Sequence, residues 1–111
     1  MTSHGGTRPK PLTEKGIRKL IETALQRGTY IEEFSLHVRF DHPERHLSID
    51  DLLHGLRQKW RGCKTDDFDP DEWQWKYRVK TYDIEGFELI VVVALDTKNI
   101  RFTIVTAFYD E

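Results

Sequence analysis

Cysteine and long apolar runs are nearly absent from this sequence of 111 residues. Cys63 is the single cysteine, which excludes an intramolecular disulfide and favours a reducing compartment. The longest apolar run, Leu89 to Leu95, is far too short to span a bilayer. The first residues are polar and do not resemble a signal peptide. We therefore expect a cytoplasmic protein that does not enter the membrane.

A large excess of charge of one sign is also missing, since 17 Lys and Arg residues oppose 19 Asp and Glu residues and give a net charge of −2. This balance argues against avid, non-specific binding of nucleic acid. The distribution is uneven, because residues 1–62 carry 11 basic against 8 acidic residues and residues 63–111 carry 6 against 11. The acidic excess is concentrated in Asp66, Asp67, Asp69, Asp71 and Glu72. We interpret 66–72 as a solvated loop whose acidity could face a basic protein partner.

Motifs of several enzyme classes are absent. The sequence has no paired Cys and His at zinc-finger spacing, no His-Glu-x-x-His, no Gly-rich phosphate loop and no nucleophile elbow. We therefore expect no metal and no cofactor.

The length fits one domain. Residues 1–12 contain Gly and Pro without apolar periodicity, which predicts a flexible leader before a single domain over 13–111. Apolar residues at helical spacing predict a first helix over 14–27, capped by Thr13 and ended by Gly28. Ser48 with two acids in the next turn predicts a second helix to about Lys59, closed by Gly62.

The strand pattern occupies the C-terminal half. Residues 73–82 alternate as a half-buried strand, 87–95 predict a central strand buried on both faces, and 100–108 close the sheet. Residues 31–40 fit a strand by alternation or a helix by the spacing of Phe34, His37 and Asp41. The predicted fold is α+β, with N-terminal helices packed on a three-stranded antiparallel meander.

Histidine and arginine cluster within residues 37–46. His37 and His46 could transfer protons near neutral pH, while Arg39 and Arg45 could hold a phosphate through paired N–H donors. Such a set could cleave RNA if one group activates the 2′-hydroxyl and another protonates the leaving oxygen. The same residues also fit a solvated polar connector.

The strand over 73–82 has a second chemical pattern. Its aromatic residues Trp73, Trp75 and Tyr77 alternate with the basic residues Lys76, Arg78 and Lys80. Basic residues beside aromatics can contact RNA, so Arg78 and Lys80 are candidate phosphate contacts. Ordinary alternation of core and solvent positions gives the same pattern. At the end of the last strand, the hydroxyls of Thr106 and Tyr109 could line a site or simply favour β structure.

The sequence resembles a small bacterial domain-of-unknown-function family that is related to RelE-like toxins. Members of that family have a histidine followed eight residues later by an arginine, and His37 and Arg45 have this spacing here. A second helix follows in the family, and Leu47-Ser48-Ile49 resembles its start. The stretches 91–96 and 102–108 also resemble the family's meander. The resemblance covers about residues 34–109.

The resemblance implies a fold of the barnase, EndoU, colicin and RelE type and metal-independent cleavage of RNA. It gives His37 a role in proton transfer, Arg45 a role as phosphate clamp and Thr106 a role as site-lining hydroxyl. It also implies a cognate antitoxin as protein partner. Our leading hypothesis is the ribonuclease toxin of a toxin–antitoxin pair. The alternative is a catalytically silent binding module, such as an immunity protein or a phage-encoded inhibitor, that uses the acidic residues 66–72.

Overall fold

In the computed structural model, residues 8–28, 30–32 and 47–110 are described. The first helix, α1 (Glu14–Arg27), has the bounds that the sequence predicts. The Thr13 side chain accepts a hydrogen bond from the Gly16 amide at 3.2 Å, which satisfies one of the unpaired donors at the helix start. Gly28 ends the helix at φ 72°, a left-handed conformation that glycine adopts without steric cost.

A short strand, β1 (Tyr30–Glu32), follows α1, and the second helix, α2, spans Ile49–Arg57. The Ser48 side chain and the Asp51 carboxylate cap each other's backbone amides in a capping box. The helix ends two residues before the predicted Lys59, because Gln58 turns to an extended conformation. The Gln58 side-chain amide donates a hydrogen bond to the Tyr82 carbonyl at 2.7 Å.

Four further strands complete the chain: β2 (Gly62–Asp69), β3 (Gln74–Tyr82), β4 (Glu88–Asp96) and β5 (Arg101–Tyr109). The sheet order is β1-β5-β4-β3-β2. Strands β2 to β5 pair antiparallel, whereas β1 pairs parallel with β5. The α+β class and the last three strands are confirmed, but the meander has four strands instead of three.

The prediction of a solvated loop over 66–72 is wrong for its first half, which belongs to β2. Phe68 explains this, because it is buried and packs edge-on against Trp73 and Trp75 with ring centroids 5.0 Å apart. The chain reverses only after Asp69, in the turn at residues 70–73. Gly62 accordingly starts β2 and does not close α2.

One face of the sheet packs against both helices. The core includes Ile17, Ile21 and Ala24 of α1 and Leu52, Leu53 and Leu56 of α2. From the sheet it takes the alternate residues Tyr77, Val79, Leu89, Val91, Val93, Leu95, Phe102, Ile104, Ala107 and Tyr109. In β4 the intervening residues are buried as well, as the sequence predicts for a central strand.

The intervening residues of the strands form the opposite face, which we call the second face. Strand alternation and register place on it Lys76, Arg78 and Lys80 of β3, Ile90, Val92 and Ala94 of β4, and Thr103, Thr106 and Phe108 of β5. In the part of the chain that the structure describes, no helix is long and apolar enough to cross a membrane.

Candidate nucleic-acid interface

The second face carries a row of cations along β3. Lys76, Arg78 and Lys80 are two residues apart, so the pleat directs all three to this face, where they are half-exposed. We call these three residues the basic series. Lys64 of β2 pairs directly with Arg78 and adds a fourth cation beside it.

Hydroxyl and aromatic side chains of β5 lie across the face from the basic series. Arg78 pairs with Val92, which pairs with Thr106, and Lys80 reaches Phe108 in the same way through Ile90. Two strand spacings separate Arg78 from Thr106, about 10 Å between backbones. A long arginine and a ligand of phosphate size can bridge such a gap.

A bulge in β5 decides which residue completes this row. Val93 pairs with Ile104 while its neighbour Val92 pairs with Thr106, so Val105 is an extra residue without a partner in β4. Without the bulge, the alternation of β5 would put Val105 opposite Val92. The bulge therefore brings Thr106 into line with Arg78.

Arg78 is held in place by two contacts. Its Nε donates to the Asp66 carboxylate at 2.9 Å, and its guanidinium lies 5.5 Å from the centre of the Phe108 ring. The side chain keeps 37% of its surface exposed. A guanidinium has five N–H donors, so the bond from Nε leaves donor capacity for a phosphate.

Most of the acidic stretch is engaged in local structure. Asp66 binds Arg78, Asp67 accepts from the neighbouring Phe68 amide, and Asp69 accepts from the amides of Asp71 and Glu72. These bonds organise the end of β2 and the turn at 70–73. The exposed side chains of Asp71 and Glu72 are then the best placed of the predicted partner-binding acids.

Three side chains have a pKa displaced from the ordinary value. Burial, with a smaller contribution from the charge of Glu14, raises the pKa of the Cys63 thiol to about 12. Burial also raises the pKa of Tyr77, whose hydroxyl accepts from the Leu12 amide at 2.9 Å. Burial would raise the pKa of Asp96, but hydrogen bonds from Asn99 and the charge of Arg101 hold it below its usual range.

Apart from the acidic stretch, the predicted site residues fall into three groups. His37, Arg39, Arg45 and His46 lie outside the described residues, as does the rest of 33–46. Arg78, Lys80 and Thr106 come together on the second face. Tyr109, the other candidate hydroxyl, is on the core face and donates to the buried Asp83 carboxylate at 2.8 Å.

Sequence reasoning missed Lys64, because the acids that follow it suggested a loop. The signal was the cross-strand match of Asp66 with Arg78, which is visible only once β2 and β3 are aligned. Within residues 8–28, 30–32 and 47–110, no group of three or more His, Cys, Asp and Glu could hold a metal ion. Comparisons with protein-family models, with curated proteins and with solved structures each find no match to this chain.

Proposed function

We propose that this chain is a RelE-like, metal-independent ribonuclease that acts as the toxin of a toxin–antitoxin pair and contacts RNA through the second face. The observation that supports this best is the basic series, which lies on the same face of the sheet as Thr106, with β4 between them. Cations at alternate strand positions suit a single strand whose phosphates repeat along a groove. A net charge of −2 does not oppose this, because four cations, Lys64, Lys76, Arg78 and Lys80, lie together on the second face.

The chemistry proposed for the site needs no metal. One histidine, either His37 or His46, acts as the base and accepts the proton of the 2′-hydroxyl while the 2′-oxygen attacks the phosphorus. The bond to the 5′-oxygen then breaks, and that oxygen receives a proton from the other histidine. Arg45 and Arg78 balance the charge that builds on the phosphate oxygens, and the Thr106 hydroxyl can donate to the same group.

Local hydrogen bonding weighs against the alternative of a binding module that uses residues 66–72. Three of its five predicted carboxylates, those of Asp66, Asp67 and Asp69, already accept hydrogen bonds within β2, β3 and the turn. A protein partner such as an antitoxin has a different surface available. Strand β2 is at the edge of the sheet and can receive an added strand.

The test is growth of a bacterial host on induction of the gene, with the RNA of arrested cells mapped for new 5′ ends. We expect arrest by the wild type and none by His37→Ala or Arg45→Ala. Arg78→Gln should slow cleavage by purified protein about tenfold, the loss of about 1.4 kcal/mol of phosphate interaction.

Arg18→Gln is the matched control. Arg18 is also a partly exposed arginine in an ion pair, with Glu22 at 3.3 Å, but it belongs to α1, which packs on the opposite face of the sheet. Its loss should leave cleavage within about twofold of the wild type. Normal growth with all proteins at equal soluble levels would refute the toxin function. Equal losses from Arg78→Gln and Arg18→Gln would refute the assignment of RNA to the second face.

A further inference from the structure

A cleft opens at the end of the sheet where the turns at 70–73 and 97–100 lie side by side. It has two chambers, of about 570 Å³ and 190 Å³. Both chambers are lined by Pro9, Trp73, Gln74, Leu95 and Thr97. The larger volume is within the range of small-molecule sites.

The aromatic wall of the cleft is fixed by its neighbours. Trp73 and Trp75 both pack edge-on against Phe68, with ring centroids 5.0 Å apart. The Trp75 indole N–H donates to the Pro9 carbonyl at 2.7 Å, which ties residues 8–12, predicted as flexible leader, to β3. An aromatic surface held in this way loses little freedom when a planar ligand stacks on it.

The two turns beside the cleft each contain one residue with a strained backbone. Trp73 has φ 54° and Ile100 has φ 51°, and in the described part of the chain these are the two residues other than glycine with positive φ. A tryptophan and a β-branched isoleucine are poor choices for this conformation, which glycine or asparagine adopts more easily. Strain of this kind concentrates at binding sites. It is consistent with a need for a large aromatic ring at position 73.

Polar groups around the aromatic wall suit the edge of a nucleobase. Gln74, Thr97 and Asn99 line the cleft and between them can donate and accept hydrogen bonds. A cationic ligand fits less well. Asp96, one of the two lining acids, already accepts from the Lys98 and Asn99 amides, the Asn99 side chain and Arg101.

The cleft is also continuous with the basic series. Gln74 is the first residue of β3 and stands two positions before Lys76 in the same alternation. Arg78 follows about 13 Å from Gln74 along the strand. A strand of RNA with one base in the cleft could therefore place its next phosphates along the basic series.

We propose that this cleft binds one unpaired nucleobase of an RNA strand, stacked on Trp73 and hydrogen-bonded at its edge by Gln74, Thr97 and Asn99. This inference rests on the proposed action on RNA, and it adds the position at which a base is held.

The experiment is a titration of the full chain with the four ribonucleoside 5′-monophosphates, followed by backbone amide chemical shifts. Ribose 5-phosphate is the matched ligand without a base. We expect saturable shifts at residues 72–75 and 96–100 with at least one mononucleotide, and none there with ribose 5-phosphate. Stacking on Trp73 predicts at least a tenfold loss of affinity in Trp73→Gly and a change within threefold in Trp73→Phe.

Trp73→Gly removes the ring and also relieves the positive φ, so weaker binding by this variant cannot be blamed on backbone strain. Its folded state is checked by thermal unfolding. Tyr82→Ala removes a half-buried aromatic at the opposite end of β3 and should bind like the wild type. The proposal is overturned if no shift saturates by about 10 mM, if ribose 5-phosphate reproduces the shifts, or if Trp73→Gly binds normally.

The two proposals fail separately. If the chain cuts RNA but mononucleotides cause no chemical shift changes at the cleft, the nuclease proposal stands and the base-site proposal is refuted. If the chain binds mononucleotides at the cleft but neither arrests growth nor cuts RNA, the base-site proposal stands and the nuclease proposal is refuted.

Discussion

Gly55 lies where α2 packs tightly against β3, and its replacement by alanine is a sensitive test of this packing. An added Cβ would stand 2.7 Å from the Thr81 Cγ2 and 3.0 Å from the Tyr82 carbonyl oxygen. Thr81 is fully buried and donates to the Gly55 carbonyl at 2.7 Å. Neither neighbour can withdraw without moving the helix or the strand.

Three contributions set the magnitude for Gly55→Ala. Overpacking of a well-filled interior costs about 1–3 kcal/mol. Weakening the hydrogen bond between Thr81 and Gly55 costs about another 1 kcal/mol. The better helix propensity of alanine returns about 1 kcal/mol. We therefore expect Gly55→Ala to lower the free energy of unfolding by about 1–3 kcal/mol.

Gly16→Ala in α1 is the matched control. Its Cβ would meet the Thr13 Oγ1 at 3.5 Å and the Leu12 Cβ at 3.6 Å, which are ordinary contacts. With no clash, propensity should raise stability by about 0.5–1 kcal/mol. Urea unfolding followed by circular dichroism should then move the two midpoints in opposite directions at similar m-values. If Gly55→Ala matches or exceeds the wild type, the close approach of α2 to β3 is refuted.

Further predictions concern the Tyr109 hydroxyl and the Cys63 thiol. Tyr109→Phe removes the hydroxyl that donates to Asp83, a carboxylate with 3% of its surface exposed, so thermal unfolding should show a loss of about 1–3 kcal/mol; an unchanged midpoint would contradict the bond. Because burial raises the pKa of Cys63 to about 12, the folded thiol stays protonated as pH rises through its unfolded pKa near 9. Stability should therefore fall from pH 9 towards 12, and Cys63→Ala should reduce that slope in urea titrations. The folded thiol should also react more slowly with a thiol reagent at pH 8 than the urea-unfolded thiol, and equal rates would contradict its burial.

Elements with a local signal were predictable from the sequence. Thr13 and Gly28 mark the ends of α1 by chemistry within one turn, and the apolar content of 87–95 is enough to predict a central strand. The second strand was missed because its acids are poor strand formers by composition. Its pairing depends on the contacts of Asp66 with Arg78 and of Phe68 with Trp75, and both partners lie beyond the turn.

The candidate site was predictable only in part, because it too depends on how the strands pair. Alternation places Arg78 and Lys80 on a common face, but the bulge that aligns Thr106 with them is a property of the pairing between β4 and β5. The left-handed backbone at Trp73 and Ile100 gives no signal either, because neither residue favours it. The cleft therefore emerges only when the two turns are placed side by side.

The position of β5 between β4 and β1 has a consequence for synthesis of the chain. Phe102, Ile104 and Ala107 are fully buried, yet β5 is synthesised after the helices and strands that it packs against. Before β5 is synthesised, the apolar side of α1 and the core-facing residues of β4 lack part of the surface that buries them. Tyr30 and Phe102 pair across some seventy intervening residues, a long-range contact of the kind that slows folding. Until β5 is inserted between β4 and β1, the nascent chain exposes apolar surface of the kind that chaperones bind.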